Sequence, residues 1–142
     1  MRIVIGSDAC GMALKETVKA YLLELGHEVV DYSLEPAADF VDSAVAVGTD
    51  LLAHPESLGF AFDRFGAGSY MTACNIKGLV ACECSDERSA FMTRSHNNAR
   101  LICMGAGVTG DDIARGIVDE FLSEPYAGGR HQIRVDMLNK MA

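Results

Sequence analysis

Apolar positions along the chain alternate between short unbroken runs and longer stretches with helical spacing. Five short runs predict strands: Arg2–Ser7, His27–Tyr32, Ser57–Asp63, Lys77–Cys84 and Ala99–Gly105. Their near-continuous apolar character is that of strands buried on both faces. Between them, Met12–Leu25 places Leu14, Val18, Tyr21, Leu22 and Leu25 at helical intervals, and Gly26 follows as a stop. A second helix spans Ala37–His54, between Pro36 and Pro55, and Ser69–Asn75 reads as a short third. The helix over Ser85–His96 opens on Ser85 as N-cap; Arg88 stands three residues on, so there is no capping box. A helix over Thr109–Glu124 leads with polar residues, and Gly128-Gly129 passes into a last amphipathic helix.

Strand and helix in alternation, with no linker longer than a turn and no repeat, predict a single α/β domain over residues 1–142. Its sheet is parallel and covered on both faces, with right-handed crossovers. The last helix carries Val135, Leu138 and Met141, more apolar surface than one small domain uses, so it is expected to pack on a neighbouring subunit. Ligands of open parallel sheets collect at the carboxyl ends of strands, which singles out the loops after Ser7, Phe62, Cys84 and Met104.

Composition narrows the function classes. An apolar fraction of 49% with 23% charged residues is that of a soluble globular chain. A net charge of −8 argues against a nonspecific nucleic-acid surface but not against a small anionic ligand, which needs only local positive charge. The five cysteines are odd in number and stand mostly in apolar contexts, unlike a secreted disulfide framework. Cys82 and Cys84 share one face of a strand, but no second Cys or His pair stands at metal-ligand spacing, so buried thiols acting as small hydrophobes are expected. There is no signal-peptide pattern and no apolar run of bilayer length; a cytoplasmic protein with no membrane partner is expected.

Four segments have the makings of a site. Asp8, in "GSDACGM", is either the N-cap of the first long helix or a carboxylate at the sheet's carboxyl edge. In "DRFGAGSYM", Gly66 and Gly68 allow backbone amides close to an oxyanion, though tight turns use glycines in the same way. "SHNNAR" offers His96 as an acid or base and Asn97 for sugar hydroxyls, or simply a capped helix end. "GGRHQIR" sets Arg130 and Arg134 four apart, on one face of a helix, while the nearby Asp136 lies off that face. Two guanidiniums without a local acid suit a phosphate or carboxylate.

The segments "GSD…G", "GAGS", "DERSA", "HNNAR" and "GGRHQIRVDML", in this order over nearly the whole chain, resemble the LacA/LacB and type B ribose-5-phosphate isomerase family. The resemblance implies a doubly wound, Rossmann-like fold and a metal-free, cofactor-free aldose–ketose isomerase that moves a proton between C1 and C2 of a sugar phosphate. It also implies sites shared between two subunits. One half holds Asp and His after the first strand and a catalytic Cys on a C-G-T-G loop; the other holds the His-Asn pair and the C-terminal arginines. Carried over position by position, the second half is intact: His96 as catalytic residue, with Asn97, Arg130 and Arg134 binding substrate. The first half is not. Asp8, Gly66 and Gly68 remain, but Ala9 replaces the histidine, Phe65 the cysteine and Ala67 the threonine, which makes this loop a vestigial site. Cys74, nine residues on, is no substitute, and an arginine common after the fifth strand is Gly107, which leaves fewer charges for a phosphate. The resemblance therefore implies a LacB-like partner subunit carrying the Cys half, in a hetero-tetramer or larger assembly. In length and C-terminal ending the chain resembles the LacA branch of the family, and that resemblance implies galactose 6-phosphate and tagatose 6-phosphate rather than pentose phosphates; a noncatalytic sugar-phosphate binder and a self-sufficient pentose-phosphate isomerase are the alternatives.

Overall fold

The computed structural model describes residues 1–142. Strands β1 (Arg2–Ser7), β2 (Glu28–Asp31), β3 (Leu58–Asp63), β4 (Ala81–Glu83) and β5 (Leu101–Gly105) form one parallel sheet in the order β2-β1-β3-β5-β4. The helices are α1 (Met12–Glu24), α2 (Phe40–Ala53), α3 (Ala67–Cys74), α4 (Glu87–Asn97), α5 (Asp111–Ser123) and α6 (Gln132–Lys140). The Rossmann-like, doubly wound α/β expectation holds, and the winding reverses between β1 and β3.

The alternation of side chains along each strand divides the core in two. Ile3, Ile5, Phe60, Phe62, Ile102 and Met104 face one side, under Leu14, Val18 and Leu22 of α1 and Ile117 and Phe121 of α5. Phe121 meets Phe60 edge-on, with ring centroids 5.5 Å apart. Val4, Ala61, Leu101 and Cys103 face the other side, under Val47 and Leu51 of α2 and Ala73 of α3. Burying each large side chain is worth about 1.5–3 kcal/mol, so every central strand is held from both faces.

Element ends depart from the sequence reading where side chains compete for backbone amides. Asp86, not Ser85, caps α4: its carboxylate accepts from Ser89 N and Ser89 Oγ, both at 2.7 Å. Ser85 donates instead to Glu83, at 2.6 Å. Helix α3 starts two residues early, at Ala67, because Gly66 (φ +78°) turns the chain directly into it. The expected fourth strand shrinks to Ala81–Glu83, an edge strand paired only with β5, behind a left-handed Gly78 (φ +84°). Cys84 and Cys103 are buried as expected of small hydrophobes, whereas Cys10 and Cys74 are exposed. On α6, Val135 is buried within its own chain and is not available to a neighbour; Leu138 and Met141 remain exposed, and Ile133 and Met137 join them.

Candidate functional site

The predicted site residues fall into two groups, one at each edge of the sheet. At the carboxyl edge, Asp8 Oδ1 accepts from Cys10 N at 2.9 Å and Gly11 N at 3.1 Å. It thereby closes the turn into α1, whose N-cap is Gly11 rather than Asp8 itself. The turn is positioned from below by a lysine that the sequence did not mark. Lys15 is fully buried and donates to Asp31 Oδ2 at 2.8 Å and to the Ser33 carbonyl at 2.6 Å. Ser33 Oγ accepts from Ser7 N at 2.9 Å, which ties the end of β2 to the end of β1. Burial alone would raise the Asp31 carboxyl, but hydrogen bonds from Lys15 and Lys19 outweigh it and hold the group below its ordinary range.

The glycine loop is organised by Asp63, a buried residue missed in the sequence. Its carboxylate accepts from Phe65 N at 2.8 Å, from Gly66 N, and from Ser69 N and Oγ, both at 2.7 Å. The Gly66 amide is thus engaged within the loop, as in the tight-turn alternative. Gly68 is glycine because a Cβ there would stand 2.9 Å from the Phe40 ring. Phe65 is exposed, with the Arg64 guanidinium 5.8 Å from its ring centroid. Gly107 N donates to the Arg64 carbonyl at 2.8 Å, and a Cβ at 107 would lie 3.0 Å from Arg64 Nε. Position 107 therefore belongs beside Phe65, and its missing arginine is not taken from the Arg130 and Arg134 pair. A cavity of about 300 Å³ opens here between Asp8, Cys10, Phe40, Arg64 and Phe65.

At the amino edge the second group assembles. Helix α4 leaves the carboxyl end of β4 and runs back to the start of β5; its 11 residues rise about 16 Å, so His96 and Asn97 end far from Phe65. Asn98, in the left-handed conformation (φ 53°), ends the helix and accepts from Arg94 Nη1 at 2.6 Å. The capping role thus falls on Asn98, and neither His96 nor Asn97 uses its side chain in a hydrogen bond within the chain. The C-terminal segment comes back to this end through Ala127 N, which donates to the Ser95 carbonyl at 2.9 Å. Gly128 (φ 61°) and Gly129 (φ 56°) reverse it into a short 3₁₀ turn, Gly129–His131, continuous with α6.

That turn lays the His131 ring flat on His96, with centroids 4.1 Å apart and planes 13° apart. Arg130 stands in the turn rather than on an α-helix, but Arg134 is one turn on, its Nη1 3.5 Å from the Arg130 carbonyl. Neither guanidinium is in an ion pair. Asp136 is taken by Gln132 Nε2 at 2.8 Å, and Gln132 in turn accepts from Tyr126 at 3.0 Å. Burial, then His96, Arg130 and Arg134, push His131 below its ordinary value. An imidazole, a carboxamide and two unpaired guanidiniums on one edge have the means to grip a phosphate and exchange a proton with a nearby hydroxyl.

A family model described as Ribose/Galactose Isomerase matches residues 3–138. The chain belongs to the ribose/galactose isomerase family. Within it, the chain is 54% identical over 142 residues, all of both chains, to the galactose-6-phosphate isomerase subunit LacA of Enterococcus faecalis. It is 53% identical over 141 residues, 99% of each chain, to that of Streptococcus mutans. Among solved members of the family, ribose-5-phosphate isomerase B of Clostridium thermocellum superposes with a TM-score of 0.94 at 32% identity, covering 98% of this chain and 95% of that one.

Proposed function

We propose that this chain is the LacA-type subunit of a cytoplasmic galactose-6-phosphate isomerase, converting galactose 6-phosphate to tagatose 6-phosphate in sites completed by a LacB-like partner. One observation carries the reading: the intact group, His96, Asn97, Arg130 and Arg134, stands at the opposite sheet edge from the Phe65 loop, where Phe65 and Ala67 stand in place of the family's reactive Cys and Thr. A single chain cannot close a competent site from its own two halves. In the shared site Arg130 and Arg134 hold the 6-phosphate, Asn97 orients a hydroxyl, and His96 transfers the proton that opens the sugar ring. The partner's thiolate then removes the C2 proton and returns it to C1, with the C1 oxygen protonated and the C2 hydroxyl deprotonated on the way, so that atoms and charge balance. The opposite pairing, on the Phe65 loop, is vestigial. The assembly that repeats this sharing is a hetero-tetramer or larger.

The test is isomerisation of galactose 6-phosphate by the chain alone, by its mixture with a LacB-like chain, and by the mixture carrying His96→Ala. Activity is expected in the mixture only, and at least a hundredfold lower with His96→Ala, the range of a lost general acid–base. Arg134→Ala should raise KM roughly tenfold or more, as loss of a charge-assisted hydrogen bond does, with kcat little changed. Full activity of the chain alone would overturn the reading. Sugar-phosphate binding without activity in any mixture would favour the noncatalytic binder instead.

A further inference from the structure

The proposed reaction leaves one aromatic side chain of the amino-edge group without a part. We propose that His131 is a positioning residue, a flat platform whose stack on His96 sets the ring orientation from which His96 reaches the sugar oxygen. The inference rests on the isomerase reading above and adds to it a residue that the reading does not use.

An imidazole that transfers a proton needs its ring plane and tautomer held, because proton transfer requires heavy atoms within hydrogen-bond reach and in line. A carboxylate or carbonyl on the second ring nitrogen commonly does this. Here no side chain or carbonyl of the chain hydrogen-bonds either nitrogen of His96, and the ring is only half-buried. The contact that does restrain it is the face of His131, 4.1 Å away and within 13° of parallel. Parallel rings in contact at this separation favour one rotamer while leaving both His96 nitrogens free.

The platform is itself well anchored. His131 N donates to the Gly128 carbonyl at 3.1 Å, and the segment just before is bonded to Ser95, the residue next to His96. The two left-handed glycines set the height of the turn above α4. The same turn carries Arg130, so the phosphate grip and the acid–base ring are placed by one rigid piece of backbone. The lowered proton affinity of His131 beside Arg130 and Arg134 suits a platform that takes no proton itself.

Two measurements test this. On the 142-residue chain alone, the ring protons of His96 are expected upfield, in the ring current of His131; His131→Ala should move them downfield and His131→Phe should keep them upfield. In the active mixture, His131→Ala should lower kcat between about tenfold and a hundredfold, the cost of a misplaced catalytic group, while KM for galactose 6-phosphate stays within about twofold. His131→Phe, with a ring but no nitrogen, should restore most of kcat. A KM rise in His131→Ala that matches the fall in kcat would mean only that the turn and Arg130 had shifted, and would overturn the proposal. So would equal loss in both variants, or His96 resonances unmoved by His131→Ala. An inactive wild-type mixture with the predicted resonance shifts would overturn the isomerase reading and the catalytic consequence with it, while leaving the stack established.

Discussion

Gly66 holds φ at +78°, and a Cβ placed on it would lie 3.1 Å from both Gly105 N and the carbonyl carbon of Met104. Both obstacles are backbone of the neighbouring strand end, which has no rotamer to yield. Left-handed strain of about 1–2 kcal/mol therefore adds to a steric cost that cannot relax. Gly66→Ala is expected to destabilise the chain by about 2–3 kcal/mol, read as a lower urea midpoint at unchanged m-value. Two glycines in a loop were legible as a turn from the sequence; that Gly66 answers to β5 and Gly68 to Phe40 was not, because those neighbours are distant along the chain. The same holds at the amino edge. Spacing marked His96, Asn97, Arg130 and Arg134, but nothing in the spacing of His96 and His131 announces that their rings touch.

Elements are tied to one another by a small number of buried polar links, and these make the fold sensitive to acid. Asp50 of α2 accepts from Arg2 Nη2 of β1 at 2.9 Å and from Tyr32 at 2.8 Å. The Arg2 hydrogen bond is the chief cause that brings the Asp50 carboxyl from 3.8 to about 2. Since the folded value is depressed, the link contributes fully above the ordinary carboxylate value and is lost as pH falls toward 2. Asp50→Asn should lower stability at pH 7 by about 2 kcal/mol and flatten the fall in Tm between pH 4 and pH 2 that the unmodified chain shows by calorimetry. A Tm difference that stayed constant across that window would remove Asp50 as the titrating group. Such links also explain the misplaced element ends. Asp86 takes the amide that Ser85 was expected to cap, and a hydrophobic pattern carries no information on which polar group wins.

For the molecule as a whole, part of the exposed apolar surface lies beside the amino-edge group. Leu138 and Met141 of the C-terminal segment, 44% and 65% exposed, line a groove of about 350 Å³ with Tyr70, Val80, Cys82 and Asn97 along the free edge of β4. Asn97 stands in both the groove and the amino-edge group, so a chain docking here lies against the half-site. Replacing Leu138 and Met141 together by Asp should weaken association with a LacB-like chain at least tenfold, because charge in an interface core is left unpaired. The Tm of the isolated chain should move by no more than about 2 °C, since neither side chain belongs to its core. Sedimentation velocity of the mixture reads the first effect, and unchanged assembly would place the interface elsewhere.

Sequence alone determined the alternation of five strands and their helices and the parallel sheet, and it marked both residue groups as candidates. Those depend on period, on side-chain chemistry and on motifs of a few adjacent residues. It did not determine how the groups lie relative to each other. The loop after Phe62 was already expected at the carboxyl edge; only the tertiary structure brings Arg130 and Arg134 to His96 at the amino edge, where a crossover helix carries its last residues back across the sheet. The position of Gly107 beside Arg64 and the stack of His131 on His96 were likewise decided there, by contacts between segments more than 30 residues apart along the chain. Local pattern can name the parts of a site, but long-range packing decides which of them can meet within one chain and which require a second.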